Sequence, residues 1–364
     1  VVAALLTKAG EDVVLIGRKS QVDVINEKGL IIKGISEGDS PQNGDRSRRP
    51  VPILGTVPFR GPFRVRALTC LDKQYDLVIF AVKTQDIEEA YQANSAYLEQ
   101  DCLVLTSQNG VQADNILSGH FDRDRQFSSI VMFGATYINP GEIVFNFDGD
   151  WIIGRPFMPL DPKTHEIANI LGRAFKTVTS TDIIGQKYLK LFVNFNNCIP
   201  ALIGKSMQET FADIDLCRLS IVLLKEGLDV IKSAQIELVS LPDFPKERIM
   251  GLVQMPNHQA AGIIHKTLTS LSKEPLYGSI LQSIMRNKKS EIDFINGEII
   301  HLANHLKLKA PLNALMVDLV HAVENTGRYF SAQEIKELFN SICPENERIF
   351  YSPFCDGPAK GGVL

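Results

Sequence analysis

The sequence predicts an α/β protein in two parts: a doubly wound domain built on parallel strands, then a mostly α-helical domain. Three observations lead there. The strands read at 76–82 and 102–106 hold continuous apolar runs, at 77–82 and 102–105, each followed by a polar turn and a helical pattern, as expected of a parallel sheet covered by helices. Residues 1–10 read as a helix placed directly ahead of a short buried strand at 11–16, the middle of a strand–helix–strand unit. Beyond residue 182 the apolar residues recur every 3.6 positions over long stretches, and the alternation of strands with helices stops.

Each element can be justified in turn. Residues 1–10 are rich in helix formers, with Lys8 near the end and Gly10 where a helix-terminating glycine belongs. Gly17, Arg18 and Lys19 close the strand at 11–16. The sequence opens on the helix at 1–10 rather than on the strand and glycine-rich turn of such a unit, so it is expected to begin just after its own phosphate-binding loop. Residues 21–28 read as a helix and 29–33 as a strand. From 34 to 61 the composition shifts to Ser, Gly, Pro and the cluster Arg46, Arg48, Arg49, the pattern of a mobile insertion. Lys83 and Thr84 follow the strand at 76–82, and a helix is expected from 86 to 98. Ser107, Gln108, Asn109, Gly110 and Val111 follow the strand at 102–106, again ahead of a helix. Ligands of such a sheet bind at the carboxyl ends of its strands, where Lys83 and Asn109 stand. Further strands are expected between 129 and 147, around the turn Asn139, Pro140, Gly141.

The second part is expected to form helices at 186–203, 215–234, 279–306 and 312–324. The domains are therefore placed at 1–181 and 182–345, with a disordered tail at 346–364. Of 364 residues, 45% are hydrophobic and 22% charged, ordinary values for a globular protein. A net charge of -4 gives no electrostatic reason to expect nucleic acid or an anionic membrane as a partner. The six cysteines are scattered without a CxxC pair, which fits reduced thiols and a cytoplasmic setting. No run approaches the roughly 18 apolar residues of a membrane span.

In a dinucleotide-binding fold the residue ending the second strand faces the adenosine ribose. An acid there accepts from the 2′-hydroxyl of NAD, and an arginine pairs with the 2′-phosphate of NADP. Arg18 and Lys19 occupy that turn without an acid, so NADP is the expected cofactor; as isolated cations they would read as plain surface residues. Lys190 and Asn194 share one helical face, and Asn196 and Asn197 extend the amides through an apolar stretch. An unpartnered buried polar group costs about 1–3 kcal/mol, so these amides call for a ligand or an internal network. Ser290 can cap a helix whose first turn holds Glu291 and Asp293, and capping is the preferred role for Asp293. His301 and His305 lie four apart with no carboxylate partner pattern; a surface or packing role is expected of them rather than a metal.

Together these segments resemble the ketopantoate reductase family (2-dehydropantoate 2-reductases) of the 6-phosphogluconate-dehydrogenase-like superfamily, with a Rossmann-type first domain. The matching stretches are 5–10 with 13–18, 76–84, 108–111, 188–194 and 279–297, in the family's order and over most of residues 1–325. The resemblance implies Lys190 as catalytic lysine and Glu291 as essential carboxylate. It implies Arg18, Lys83 and Asn109 on the cofactor, and Asn194 and Ser279 on the substrate. The sequence departs from the family at Tyr188, where tryptophan is usual, and at Cys198, eight residues after Lys190, where a second substrate amide is usual. Asn197 lies one position early and is the candidate to replace it, although one helical step rotates a side chain by ~100°.

The expected reaction is NADPH-dependent reduction of a small 2-keto acid, 2-dehydropantoate to pantoate, without a metal. Hydride reaches the ketone carbon while Lys190 stabilises the carbonyl oxygen and donates the proton. Glu291 orients Lys190 or a substrate hydroxyl, and Asn194 and Ser279 fix the substrate. The alternatives are a superfamily reductase of another 2-keto or hydroxy acid, a catalytically silent NADP-binding protein, and a nucleic-acid binder using Arg46, Arg48 and Arg49. A homodimer through the helical domain is expected by analogy alone.

Overall fold

The computed structural model describes residues 1–34, 62–98, 101–272 and 274–342, and the chain divides into two compact units, Val1–Tyr188 and Leu189–Leu364. The insertion expected at 34–61, apart from Gly34, and the tail expected at 346–364 lie outside the described residues, as does the arginine cluster.

The first unit opens with α1 (Val2–Lys8) and β1 (Val14–Ile16). Gly10, at φ +96°, lets the chain turn back there. Its N–H donates to the Thr7 carbonyl at 3.1 Å and that of Glu11 to Leu6 at 3.1 Å, the paired bonds that close a helix on a left-handed residue. Then follow α2 (Lys19–Lys28), β2 (Ile31–Gly34), β3 (Arg66–Leu68), β4 (Leu77–Phe80), α3 (Ile87–Gln92), β5 (Leu103–Thr106) and α4 (Gln112–Leu117). The unit continues through β6 (Gln126–Val131), β7 (Gly134–Asn139), β8 (Glu142–Phe147), β9 (Trp151–Gly154), α5 (Pro162–Gly172) and β10 (Thr177–Ser180).

Five strands form one sheet in the order β10-β9-β6-β5-β4, parallel except where β6 meets β9. β1 pairs in parallel with β3, while β2, β8 and β7 form a third sheet. Alternation along β5 shows why helices cover both faces. Leu105 packs with Leu5, Leu6, Phe127, Trp151 and Leu171 on one side. Val104 packs with Ile87, Ala113 and Leu117 on the other. Both β5 residues are fully buried, which is why the strand reads as unbroken apolar sequence.

The helix α6 (Ile183–Phe195) carries the chain into the second unit, which holds α7 (Cys198–Ile203), α8 (Met207–Phe211), α9 (Ile214–Ser233), α10 (Glu247–Gln254) and α11 (Asn257–Thr269). It ends with α12 (Ser279–Ile284), α13 (Asn296–His305), α14 (Pro311–Thr326) and α15 (Ala332–Ile342). The twenty-residue α9 is buried along most of its length. A Cβ on its Gly227 would come within 2.6 Å of the Phe195 ring, so glycine permits the close approach of α9 to α6.

Three expected helices are broken, each for a local reason. The one at 86–98 ends after Gln92, because the Asn94 amide takes the Leu71 N–H at 2.7 Å and donates to the Ala90 carbonyl at 2.8 Å. The one at 186–203 is interrupted between Phe195 and Cys198. Pro200 lacks an N–H and its ring excludes the carbonyl four residues earlier, so the helix restarts with proline in its first turn. The one at 279–306 stops because Asn287 is left-handed, at φ +52°, and Lys288 N–H returns to Ser283 at 3.0 Å.

Candidate active site

At the carboxyl ends of β4 and β5 two turns are tied together. Ser107 Oγ donates to the Phe80 carbonyl at 2.9 Å, and Gln108 Nε2 donates to the carbonyls of Phe80 and Val82 at 2.8 Å each. Gln108 Oε1 accepts from the Ser107 N–H at 3.0 Å. The next residues, half-buried Asn109 and Gly110 at φ +78°, are thereby held beside the turn that carries half-buried Lys83. Gln108 was not foreseen as functional; its role is to fix this pair of turns. Arg18 follows β1 and opens α2, exposed. Among the described residues its guanidinium has no acidic partner, whereas Lys19 pairs with Asp23 at 2.9 Å.

Beneath these turns lies a buried charge cluster that sequence reasoning missed. Asp114 of α4 accepts from Lys187 Nζ at 2.7 Å, from Ser128 Oγ at 2.8 Å and from Thr106 Oγ1 at 2.5 Å. The Lys187 and Asp114 side chains are 2% and 1% exposed. Such a pair survives burial only when further donors satisfy the carboxylate, as the two hydroxyls do here. The signal was present: Ile183, Lys187 and Leu191 are four apart on one buried helical stripe, and a lysine on such a stripe requires a buried partner.

Lys190 follows one turn later on α6, half-buried, with Asn194 a further turn along. The break after Phe195 decides what comes next. Cys198 points into the core, with 0% exposure, and its thiol donates to the Phe195 carbonyl at 3.1 Å. Burial pushes that thiol up to about 12. Asn197 turns the other way: its Nδ2 lies 3.5 Å from Asn194 Oδ1, and its side chain covers Gly278, the residue before Ser279. Ser279 is exposed at the start of α12. The structure therefore gathers Asn194, Asn197 and the Gly278–Ser279 corner in one place. Asn196 Oδ1 is buried without a hydrogen-bond partner among the described residues.

Glu291, half-buried, opens a single 3₁₀ turn, Ile292–Phe294. Helix α14 clamps that turn: Glu324 Oε1 accepts from the Ser290 N–H at 2.7 Å, and His321 Nε2 lies 3.1 Å from Asp293 Oδ2. The expected capping geometry is thus corrected. Ser290 Oγ meets the Ile292 N–H at 3.3 Å, but α13 begins only at Asn296, and Asp293 pairs with His321 instead of capping a helix. His301 and His305 stack edge to face with ring centroids 4.3 Å apart, and burial lowers the His301 pKa, His305 adding to the effect. Among the described residues no cluster of His, Cys, Asp and Glu could hold a metal. Cys70, Cys102, Cys198 and Cys217 are free thiols, and no described helix is long and apolar enough to cross a membrane.

Known proteins share this sequence pattern and fold. Residues 1–156 match the family model "Ketopantoate reductase PanE/ApbA", and residues 182–324 match its C-terminal counterpart. The chain is 29% identical to the 2-dehydropantoate 2-reductase of Pyrococcus horikoshii over 332 residues, covering 90% of this chain and 94% of that protein. The protein of the same name from Pyrococcus abyssi is also 29% identical, over 88% of this chain and 92% of the relative. In fold it is similar to a PanE/ApbA family ketopantoate reductase from Ralstonia eutropha, with a TM-score of 0.69, 22% identity, and 89% and 94% of the two chains covered. A D-mandelate dehydrogenase with NADH and anilino(oxo)acetate gives the same TM-score and coverage at 20% identity. With both halves of the fold matched in order, the chain belongs to the ketopantoate reductase family.

Proposed function

We propose that this chain is an NADPH-dependent reductase of a small 2-keto acid, with 2-dehydropantoate the first substrate to test and Lys190 the proton donor. The observation that carries the reading is the polar cluster of the second unit. Lys190 and Asn194 stand one turn apart on α6, and Asn197 is folded back beside Asn194 and Ser279. The names of the curated relatives support the substrate class.

The residues of the first unit fit a nicotinamide dinucleotide. Arg18 offers an exposed guanidinium at the end of β1, the position suited to a 2′-phosphate, and Lys83 and Asn109 stand on the tied turns after β4 and β5. NADPH, when bound, supplies the hydride. The protein's own part is electrostatic and positional. Lys190 presents its ammonium to the ketone oxygen, steadies the negative charge that grows there, and passes a proton from Nζ. Glu291, fixed by α14, orients that ammonium or a substrate hydroxyl. Asn194, Asn197 and Ser279 bind the carboxylate and hydroxyl and hold the carbonyl at attack distance.

One observation favours a second reading, a reductase of a different 2-keto acid: the position eight after Lys190 is the sequestered Cys198, so the amide pattern differs from that implied by the family. A single assay separates the two. Oxidation of NADPH is followed with 2-dehydropantoate and with a panel of other 2-keto acids, for the native chain and for Arg18→Ala. The proposal expects the highest kcat/KM with 2-dehydropantoate, and a larger loss of affinity for NADPH than for NADH in the variant. Preference for another acid supports the second reading; no turnover with any of them sinks both.

A further inference from the structure

Gly278 is a glycine without a backbone reason. Its φ of -65° and ψ of 158° suit any residue, and it stands at the start of α12, where a side chain would normally be welcome. What it lacks is room. A Cβ built there would lie 3.0 Å from both Cγ and Oδ1 of Asn197, and 3.1 Å from Asn197 Cβ. Because Asn197 Cβ is itself among the close atoms, turning the Asn197 side chain alone does not relieve the contact; the two segments must give by a few tenths of an ångström. The Asn197 backbone is fixed on one side by Pro200, which forbids a continuous helix, and on the other by the Asn197 N–H donated to the Asn194 carbonyl at 3.0 Å. Asn197 is 9% exposed, so it has little freedom to swing into solvent.

We propose that Gly278 is a specificity-determining position: its missing side chain seats the Asn197 amide beside Asn194 and Ser279, where it reads a hydroxyl group on the 2-keto acid. This rests on the functional reading above and adds to it a residue that touches no substrate itself. An amide both donates and accepts, so it suits a hydroxyl, which does the same. Cys198 takes no part, since its thiol is turned into the core and hydrogen-bonded there. The acids favoured are therefore those with a hydroxyl near the ketone, as against simple 2-keto acids of similar size.

The test compares the native chain, Gly278→Ala, Asn197→Ala and the double variant. For a hydroxylated 2-keto acid, Gly278→Ala is expected to raise KM about tenfold, the usual scale of one lost hydrogen bond. Its kcat should stay within about twofold, since the Lys190 chemistry is untouched. KM for an unhydroxylated 2-keto acid and the affinity for NADPH should not change. In the Asn197→Ala background the glycine substitution should add nothing, because its effect passes through the amide it displaces. Independent, additive losses, or equal losses for both kinds of acid, overturn the proposal. Calorimetric titration of the same acids reads the same contrast without turnover. A native chain that binds them but does not reduce them thus removes the functional reading alone, and one that binds none removes both.

Discussion

Lys187 and Lys190 lie one turn apart on α6, yet their surroundings differ. Lys187 is sealed against Asp114, whereas Lys190 is half-buried beside the amides. Removing one member of a buried pair leaves the other charge without compensation, which costs about 3–5 kcal/mol. Lys187→Met is therefore expected to lose that much stability in urea unfolding, and adding Asp114→Leu should restore most of it. A loss below about 1 kcal/mol in the single variant would show that the pair is not sealed from water. At this scale the sequence was legible where spacing alone speaks: Lys190 and Asn194 share a face in any helix. It was not legible where direction depends on a break. Nothing in the linear pattern says that the break before Pro200 buries the Cys198 thiol against the Phe195 carbonyl and sets Asn197 beside Asn194 and Gly278, and the Asp114–Lys187 pair joins residues 73 positions apart.

Elements depend on their ends. Strands β4 and β5 were readable because burial on both faces leaves an unbroken apolar run, and the helices were readable by period. Their interruptions were not, since Asn94 and Asn287 act through particular backbone bonds that period does not record. The start of α5 shows how much one cap carries. Asp161 accepts from the Thr164 N–H at 3.0 Å and from its hydroxyl at 2.6 Å, and pairs with the buried Arg155. The Arg155 guanidinium and these Thr164 bonds hold the Asp161 carboxyl well below its ordinary value of 3.8. Because the folded state depresses this pKa, its stabilisation is fully present above the unfolded value and fades as pH falls towards the folded one. Asp161→Asn keeps a capping side chain but drops the charge, so it should cost about 1–3 kcal/mol at neutral pH. That difference from the native chain should shrink below pH ~4. A difference that stays constant down to acid pH would mean the charge is not what stabilises this end.

Across the whole molecule the candidate residues divide between the two units. The first presents the ends of parallel strands, with Arg18, Lys83 and Asn109 in the turns that follow them; the second holds Lys190, Asn194, Asn197, Ser279 and Glu291. The fold class and the family were within reach of the sequence, because five short stretches keep their order and spacing over most of the chain. The identity of the acid was not, because on the proposal above it turns on side-chain directions around one helix break and one glycine. The central claim concerns neither of these but the proton. It is tested most directly by Lys190→Ala, assayed with NADPH and the best 2-keto acid, alongside a fluorescence titration of NADPH binding. Loss of a general acid should lower kcat by about 10²–10⁴-fold while cofactor affinity stays within about twofold, since the proposed cofactor residues lie elsewhere. Turnover close to that of the native chain would contradict the account, and Lys190 could not be the proton donor.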